Sequence, residues 1–184
     1  MSLAVAADPH LYWITSRAAG TAALLLASAS VGVGLTMSGR LSRRRGPDLR
    51  VTHEALSLAA LVAIVVHAVA LLGDGYLKPS LGDIAIPFVS SFERLWMTVG
   101  IISGWGLLIL GLSYYARARI GVERWRRLHR LTAVVWIMGI AHSFGQGTDA
   151  GQLWFVVATG VAILPAAGLL VVRHLGIRPS AVPS

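Results

Sequence analysis

Four histidines lie inside or at the ends of two apolar segments, and their spacing is the feature of this chain best suited to chemistry. His53 and His67 are 14 residues apart in one segment, and His129 and His142 are 13 residues apart in another. At about 1.5 Å rise per helical residue, each pair spans roughly 20 Å of a hydrocarbon core about 30 Å thick. Because an ionisable side chain inside a membrane is costly, these residues are interpreted as functional, and their layout can hold two metal centres stacked across a bilayer.

The composition predicts an integral membrane protein. The 184 residues are 55% hydrophobic and 13% charged, with a mean hydropathy of +0.70. We expect an all-α membrane helical bundle with no soluble flavin or nicotinamide domain, since no GxGxxG motif opens a strand–helix unit. The chain contains no cysteine, which excludes cysteine-ligated iron–sulfur clusters, thiolate-bound haem and the CxxCH attachment of haem.

Apolar stretches of about 20 residues predict five transmembrane helices. Their predicted ranges are 12–38, 51–73, 92–116, 125–144 and 152–172. We therefore divide the chain into an extracytoplasmic tail (1–11), a transmembrane domain (12–172) and a cytoplasmic tail (173–184). Pro165 predicts a kink in the last helix, and the segment 81–89 is expected to lie along the membrane surface.

The basic residues predict the orientation of the helices. The loops 40–50 and 117–130 and the C-terminal tail carry 13 of the 16 Lys and Arg residues. The positive-inside rule places these segments in the cytoplasm and the N-terminus outside, in the plasma or inner membrane. A net charge of +8 is also typical of nucleic-acid binding, but in so apolar a chain we assign it to cytoplasmic loops and expect no nucleic-acid partner.

Histidines at matching depths on two neighbouring helices suit a bis-histidine haem. Because the second and fourth predicted helices run in the same direction, His53 pairs with His129 near the cytoplasm, and His67 pairs with His142 near the outer face. Haem iron with two axial imidazoles is six-coordinate and carries single electrons. Zinc or di-iron sites need ligands at i, i+3 or i+4 spacing, which these segments lack. Histidines that only join helices, or that relay protons in a transporter or assembly subunit, stay open as alternatives.

The angular positions of the histidines agree with this pairing for only one helix. At about 100° per residue, His67 lies about 40° from His53, on one face. The same arithmetic places His142 roughly 140° from His129. We therefore expect the fourth helix to be bent or locally over- or underwound, with Gly139 as a candidate position, or its imidazoles to approach from different sides.

Arginines near each face are candidate partners of the anionic haem propionates. The candidates are Arg17 and Arg94 for an outer haem, and Arg50, Arg127 and Arg130 for an inner haem. Topology and lipid headgroup contact are the alternative explanation. Trp136, seven residues after His129, is a candidate to lie between the haems, although packing is the stronger expectation. Four glycines are interpreted as helix-packing positions: Gly20, Gly104, Gly106 and Gly111.

With these residues placed, the chain resembles the ferric reductase-like transmembrane domain. This haem-binding core is shared by ferric reductases, NADPH oxidases and the haem subunit of the periplasmic methionine sulfoxide reductase system. The resemblance rests on H-x13-H in one helix and H-x12-H two helices later, with SRAAG, PFVSSFERLW and WRRLHRL as supporting segments. It covers residues 12–172, and the unequal spacing is itself typical of the family.

The resemblance implies a cytochrome b with two haem b groups, an inner one held by His53 and His129 and an outer one held by His67 and His142. It implies electron transfer from a cytoplasmic flavin reductase or a membrane quinol to ferric iron, a redox protein or oxygen outside. NADPH oxidases carry an additional helix before this core and a flavin and nicotinamide domain after it, so we expect a separate donor here. The alternative within this class is the haem subunit of a two-component extracytoplasmic reductase.

Overall fold

The computed structural model describes residues 9–38 and 47–175, and these two ranges contain helices and no strand. The helices are α1 (Pro9–Ser38), α2 (Pro47–Leu71), α3 (Leu81–Ala85), α4 (Arg94–Leu112), α5 (Arg117–Ile120), α6 (Val122–His129), α7 (Thr132–Gln146) and α8 (Leu153–His174). The prediction of an all-α fold is confirmed. Most of the predicted tails 1–11 and 173–184 lies outside the described residues, but α1 begins three residues earlier than predicted.

Four helices, α1, α2, α4 and α8, are long and apolar enough to cross a membrane. Their outward surfaces suit lipid, since Val62, Val161 and Leu164 are 64%, 72% and 71% exposed. So much exposed apolar surface is not found on soluble monomers. The protein is therefore a multi-pass membrane protein whose helices contact the lipid bilayer.

Helix α1 lies at the centre of the bundle, packed along α2 and against α7 and α8, while α4 packs mainly on α7. The core joins one residue from each of four helices, Ala27, Ala60, Trp136 and Ala166. Three alanines let the helix backbones approach closely around the one large ring. The indole of Trp136 is 2% exposed, and its Nε1 donates to the Ser28 hydroxyl at 3.0 Å.

The single helix predicted over 125–144 is wrong, because the structure divides this segment into α6 and α7. Just after His129, several amides bond to carbonyls three residues earlier, among them Leu131 N to Leu128 O at 2.9 Å. Such a turn rotates about 120° per residue instead of about 100°. Each residue overwound in this way reduces the expected offset of roughly 140° between the two histidines by about 20°. The irregularity lies directly after His129 and not at Gly139, which is helical within α7.

The loop between α2 and α4 contains α3, whose first turn is closed by a capping box. The Ser80 hydroxyl accepts from the Asp83 amide at 3.2 Å, and the Asp83 carboxylate accepts from the Ser80 amide at 2.8 Å. The Ser80 hydroxyl also donates to this carboxylate at 2.6 Å. This bond, together with the one from the Ser80 amide, lowers the pKa of the Asp83 carboxyl group. The indole of Trp105 donates to the Ala85 carbonyl at 2.8 Å, which attaches α3 to α4.

Candidate functional site

The structure brings the four histidines together as two pairs, each joining α2 to the α6–α7 segment. The ring centroids of His53 and His129 are 6.2 Å apart, with the ring planes at 89°. Those of His67 and His142 are 6.5 Å apart, with the planes at 71°. Each pair therefore consists of two imidazoles that are close, and the described residues show no hydrogen bond between them.

These separations fit one metal ion between each pair of rings. A metal–imidazole bond is about 2 Å long and the ring centroid lies about 1.2 Å beyond the nitrogen, so opposed ligands of one metal have centroids about 6.4 Å apart. Among the described residues, no group of three or more His, Cys, Asp or Glu side chains converges. Each pair therefore supplies two ligands at most, and this donor set suits the axial positions of a planar macrocycle better than zinc.

The imidazole of His67 lies against the backbone of α1. Its Nδ1 donates to the Ser16 carbonyl at 2.7 Å, and the Ser16 hydroxyl lies 3.0 Å from the same nitrogen. That hydroxyl also donates to the His67 carbonyl at 3.1 Å. A Cβ atom at Gly20 would lie 2.9 Å from this Nδ1, so glycine is what admits the ring.

The same arrangement recurs at His53, which lies against α1 about two turns before the C-terminal end of that helix. The Nδ1 of His53 donates to the Ser30 carbonyl at 2.9 Å, and the Ser30 hydroxyl lies 3.1 Å from it. A Cβ atom at Gly34 would lie 3.1 Å from Cε1 of the ring. The Ser57 hydroxyl, 2.7 Å from that of Ser30, completes the buried polar contacts here.

On α4, a third carbonyl and glycine hold His142. Its Nδ1 donates to the Trp96 carbonyl at 2.8 Å. A Cβ atom at Gly100 would lie 2.5 Å from the same nitrogen. In all three cases the acceptor carbonyl belongs to residue i and the glycine to residue i+4, one helical turn further along.

These hydrogen bonds fix the protonation of three rings. A carbonyl only accepts, so the Nδ1 atoms of His53, His67 and His142 carry the proton. The Nε2 atoms are then left with the lone pair that a metal ligand requires, and the anchored Nδ1–H also holds the ring orientation.

His129 is held differently. Its buried Nδ1 makes no hydrogen bond of normal geometry in the described part of the chain, although the backbone of Leu110 interacts with the ring. The indole of Trp125 stacks on the imidazole, with centroids 4.9 Å apart and planes at 26°. The Trp125 Nε1 in turn donates to the Ser113 hydroxyl at 3.1 Å.

Of the arginines predicted near the outer pair, Arg17 already has a carboxylate partner. Its guanidinium binds both carboxylate oxygens of Asp149, which is 3% exposed. The guanidinium also lies 4.7 Å from the Trp13 ring centroid. Arg94 is exposed and its Nε donates to the Ser90 carbonyl at 3.4 Å.

The arginines predicted near the inner pair are exposed. These are Arg50, Arg127 and Arg130. Four further arginines of the predicted cytoplasmic loop, at positions 40, 43, 44 and 45, lie outside the described residues.

Comparison with protein families decides the classification. A family model described as "Ferric reductase like transmembrane component" matches residues 18–140, about two-thirds of the chain. The chain belongs to the ferric reductase-like transmembrane family. The matched residues include His53, His67 and His129. Ferric reductase-like transmembrane domains generally bind haem, which agrees with the donor set of each histidine pair. No curated protein and no solved structure matches this chain.

Sequence reasoning missed the residues on α1 that hold the imidazoles of this ferric reductase-like chain. SRAAG supports the family resemblance and Gly20 is predicted to be a packing position, but neither prediction connects these residues with a histidine. A signal was present, because Ser16-x3-Gly20 recurs as Ser30-x3-Gly34 after 14 residues. This interval equals the separation of His53 and His67 on the antiparallel helix α2.

Proposed function

We propose that this protein is a cytochrome b that passes single electrons across the membrane through two b-type haems. His53 and His129 are the axial ligands of the inner haem, and His67 and His142 those of the outer haem. The observation that carries the proposal is the opposition of two imidazole pairs at 6.2 Å and 6.5 Å, within a chain of the ferric reductase-like family. Bound haem supplies one-electron redox chemistry at each pair.

In this proposal the polypeptide supplies the histidine ligands of each haem iron and keeps other ligands away from that iron. Two histidines per site would hold each haem iron, and the haem would supply electron transfer to an acceptor such as oxygen or ferric iron that does not itself bind the metal. The 14-residue separation of His53 and His67 corresponds to a distance of roughly 20 Å along α2 between the two proposed sites. Trp136, midway between the two histidines of the other segment, packs in the core of this interval.

The proposed topology counts α6 and α7 as parts of a fifth membrane crossing. α7 has 15 residues, which span about 22 Å, and the arginine-bearing α6 extends this crossing to the cytoplasmic surface. Residues 12–172 then form the transmembrane haem domain, with residues 1–11 outside and 173–184 in the cytoplasm. The positive-inside rule supports this orientation.

The proposed ligands of the haem propionates are Arg17 and Arg94 outside, and Arg50 and Arg130 inside. An arginine held near each membrane face balances the charge of a propionate there. Arg17 would share its guanidinium between Asp149 and the outer propionate, and its partial exposure of 36% leaves room for a second partner.

The proposed donor is a cytoplasmic flavin reductase or a membrane quinol, and the acceptor is ferric iron or a redox protein outside. A haem subunit of a two-component extracytoplasmic reductase would use the same sites. A transporter with proton-relay histidines is disfavoured by the hydrogen bonds at Nδ1. A ring whose Nδ1–H is tied to a backbone carbonyl, as in His53, His67 and His142, cannot pass a proton between its two nitrogens without breaking that bond.

Haem content and reduction test the proposal. We expect the full chain, purified in mild detergent, to contain two b-type haems that are reducible in two one-electron steps. Reduction by NADH with a flavin reductase, compared with reduction by a quinol, identifies the donor class. A purified, folded protein without a reducible b-type spectrum would overturn the proposal and leave the non-redox alternative.

The exposed arginines of α6 predict an electrostatic contribution to docking of a cytoplasmic donor. Arg124 and Arg126 are exposed, and charge neutralisation slows the encounter with an acidic partner. The double variant Arg124→Gln/Arg126→Gln is expected to lower the second-order rate of reduction by an acidic flavin reductase about 3–10-fold at low salt. The difference should vanish near 1 M salt, where the Debye length is about 3 Å.

The matched control for this experiment is Lys78→Gln, which removes one exposed charge from the outer loop. It should leave the rate unchanged. Equal rates for the double variant and the wild type at low salt would show that the arginines of α6 do not contribute to docking. The rates are measured in detergent, so that anionic lipid does not affect them.

A further inference from the structure

We infer that α1 is the element that positions both haem ligands of α2, through two imidazole sockets. A socket consists of a backbone carbonyl at residue i that accepts from Nδ1 and a glycine at i+4 that admits the ring. Ser16 and Gly20 form the socket of His67, and Ser30 and Gly34 that of His53. The identity of the bound group rests on the proposed function, whereas the sockets are contacts within the polypeptide.

The glycines are required because the rings occupy the space of a side chain. Cβ atoms at Gly20 and Gly34 would lie 2.9 Å and 3.1 Å from atoms of the facing imidazoles, closer than ordinary van der Waals contact. Gly32, between them on α1, has only the Ala166 Cβ near it, at 3.8 Å. Gly32 is therefore an ordinary packing position, and the two socket glycines are not.

The side-chain hydroxyls of Ser16 and Ser30 contribute to the sockets as well as the backbone carbonyls. Ser16 and Ser30 are 3% and 6% exposed, and a buried hydroxyl in an apolar bundle needs a partner. Each finds it on α2, where the Ser16 hydroxyl donates to the His67 carbonyl at 3.1 Å and that of Ser30 contacts Ser57 at 2.7 Å. The hydroxyls therefore fix the register of α2 on α1 at the depth of each histidine.

The third socket, Trp96 and Gly100 on α4, shows that the arrangement does not depend on serine. What the three share is a carbonyl 2.7–2.9 Å from Nδ1 and a glycine one turn later. All these residues are positioning residues. They set the tautomer and orientation of the ring, and they increase the basicity of the ligand.

The first test uses protein prepared without haem, so that it does not depend on the proposed function. Gly20→Ala is expected to lower the Tm of the full chain in detergent when His67 is present. In a His67→Ala background, where the ring is absent, Gly20→Ala should cause no further loss. The control Gly32→Ala should give the same small change in both backgrounds. Equal effects of Gly20→Ala with and without His67 would overturn the inference.

The second test uses the haem-loaded full chain. Gly20→Ala is expected to remove the outer haem and Gly34→Val the inner one, reducing haem content from two to one per chain, while Gly32→Ala retains both. Ser16→Ala keeps the carbonyl acceptor but removes the hydroxyl oxygen that lies 3.0 Å from the same Nδ1. It should therefore retain both haems and raise the midpoint potential of the outer one alone, since the ring loses its second acceptor and becomes less basic. This shift is a readout that a general loss of packing would not produce.

The two proposals fail in different ways. A wild-type chain that binds no haem contradicts the proposed function, while the coupling between Gly20 and His67 in the haem-free protein still tests the socket. If the wild-type chain binds two haems and both are retained in Gly20→Ala and in Gly34→Val, the sockets are contradicted and the proposed electron transfer is not. The same conclusion follows if Gly32→Ala loses haem to the same extent as those two variants.

Discussion

His67→Ala and His142→Ala are each expected to remove one haem, and the same one, leaving one of two per chain. The reason is that, in the proposed function, both imidazoles of a pair would hold one haem, and the centroids of these two rings are 6.5 Å apart. His53→Ala and His129→Ala should both remove the other haem, since those rings form the second pair at 6.2 Å. Haem content per chain and a potentiometric titration of each variant measure the outcome.

The matched control for the histidine variants is His174→Ala. His174 is an exposed histidine at the end of α8, and its removal should leave both haems in place. Free imidazole added to His67→Ala is expected to restore part of the outer haem, because it can occupy the vacated volume beside Gly20. If His67→Ala and His142→Ala deplete different haems, the pairing described above is wrong.

Asp149→Ala is expected to lower the free energy of unfolding by about 3 kcal/mol. This value is at the low end of the range for removing one partner of a buried ion pair. Asp149 is 3% exposed and its partner Arg17 is 36% exposed, so partial solvation of the guanidinium moderates the loss. The double variant Arg17→Leu/Asp149→Leu should lie within about 1 kcal/mol of the wild type, because no charge is left unpaired. Unfolding in detergent by denaturant titration measures both.

Lys78, an exposed cation on the loop between α2 and α4, provides the comparison for these variants. Lys78→Gln should change the free energy of unfolding by less than about 0.5 kcal/mol. Equal destabilisation by Asp149→Ala and by the double variant would show that the side chains act through packing and not through their charges. Haem content of the double variant also tests the proposed second role of Arg17, since loss of the outer haem without loss of stability would indicate a propionate contact.

The pairing of the histidines could be predicted from the sequence because it depends only on helical rise and on helix direction. His53 and His129 occupy equal depths once the basic loops orient the segments, and neither step needs knowledge of side-chain packing. The sockets could also have been predicted, since the 14-residue recurrence of Ser-x3-Gly matches the histidine interval. It was not recognised because glycines in membrane helices are ordinarily explained by helix packing.

An irregular fourth helix could be predicted from the histidine spacing, but the position of the break between α6 and α7 could not, because no local residue marks it. Arg130 and Leu131 are ordinary helix formers, whereas Gly139, the expected weak point, stays helical. Within α6, the hydrogen bond from Trp125 to Ser113 joins side chains 12 positions apart, and local helix propensity does not anticipate such a contact. The pairing of Arg17 with Asp149 joins residues 132 positions apart, and no local pattern anticipates it.

The interval from Ser16 to Ser30 on α1 equals the interval from His53 to His67 on α2. This equality determines where the chain tolerates a change in length. Inserting one residue anywhere between Gly20 and Ser30 would turn one end of α1 by about 100° and move it about 1.5 Å relative to the other. Only one of the two α2 histidines would then still meet its carbonyl. The segment joining α2 to α4 carries no such restriction, so natural variation in length should accumulate there and be excluded from the middle of the first helix.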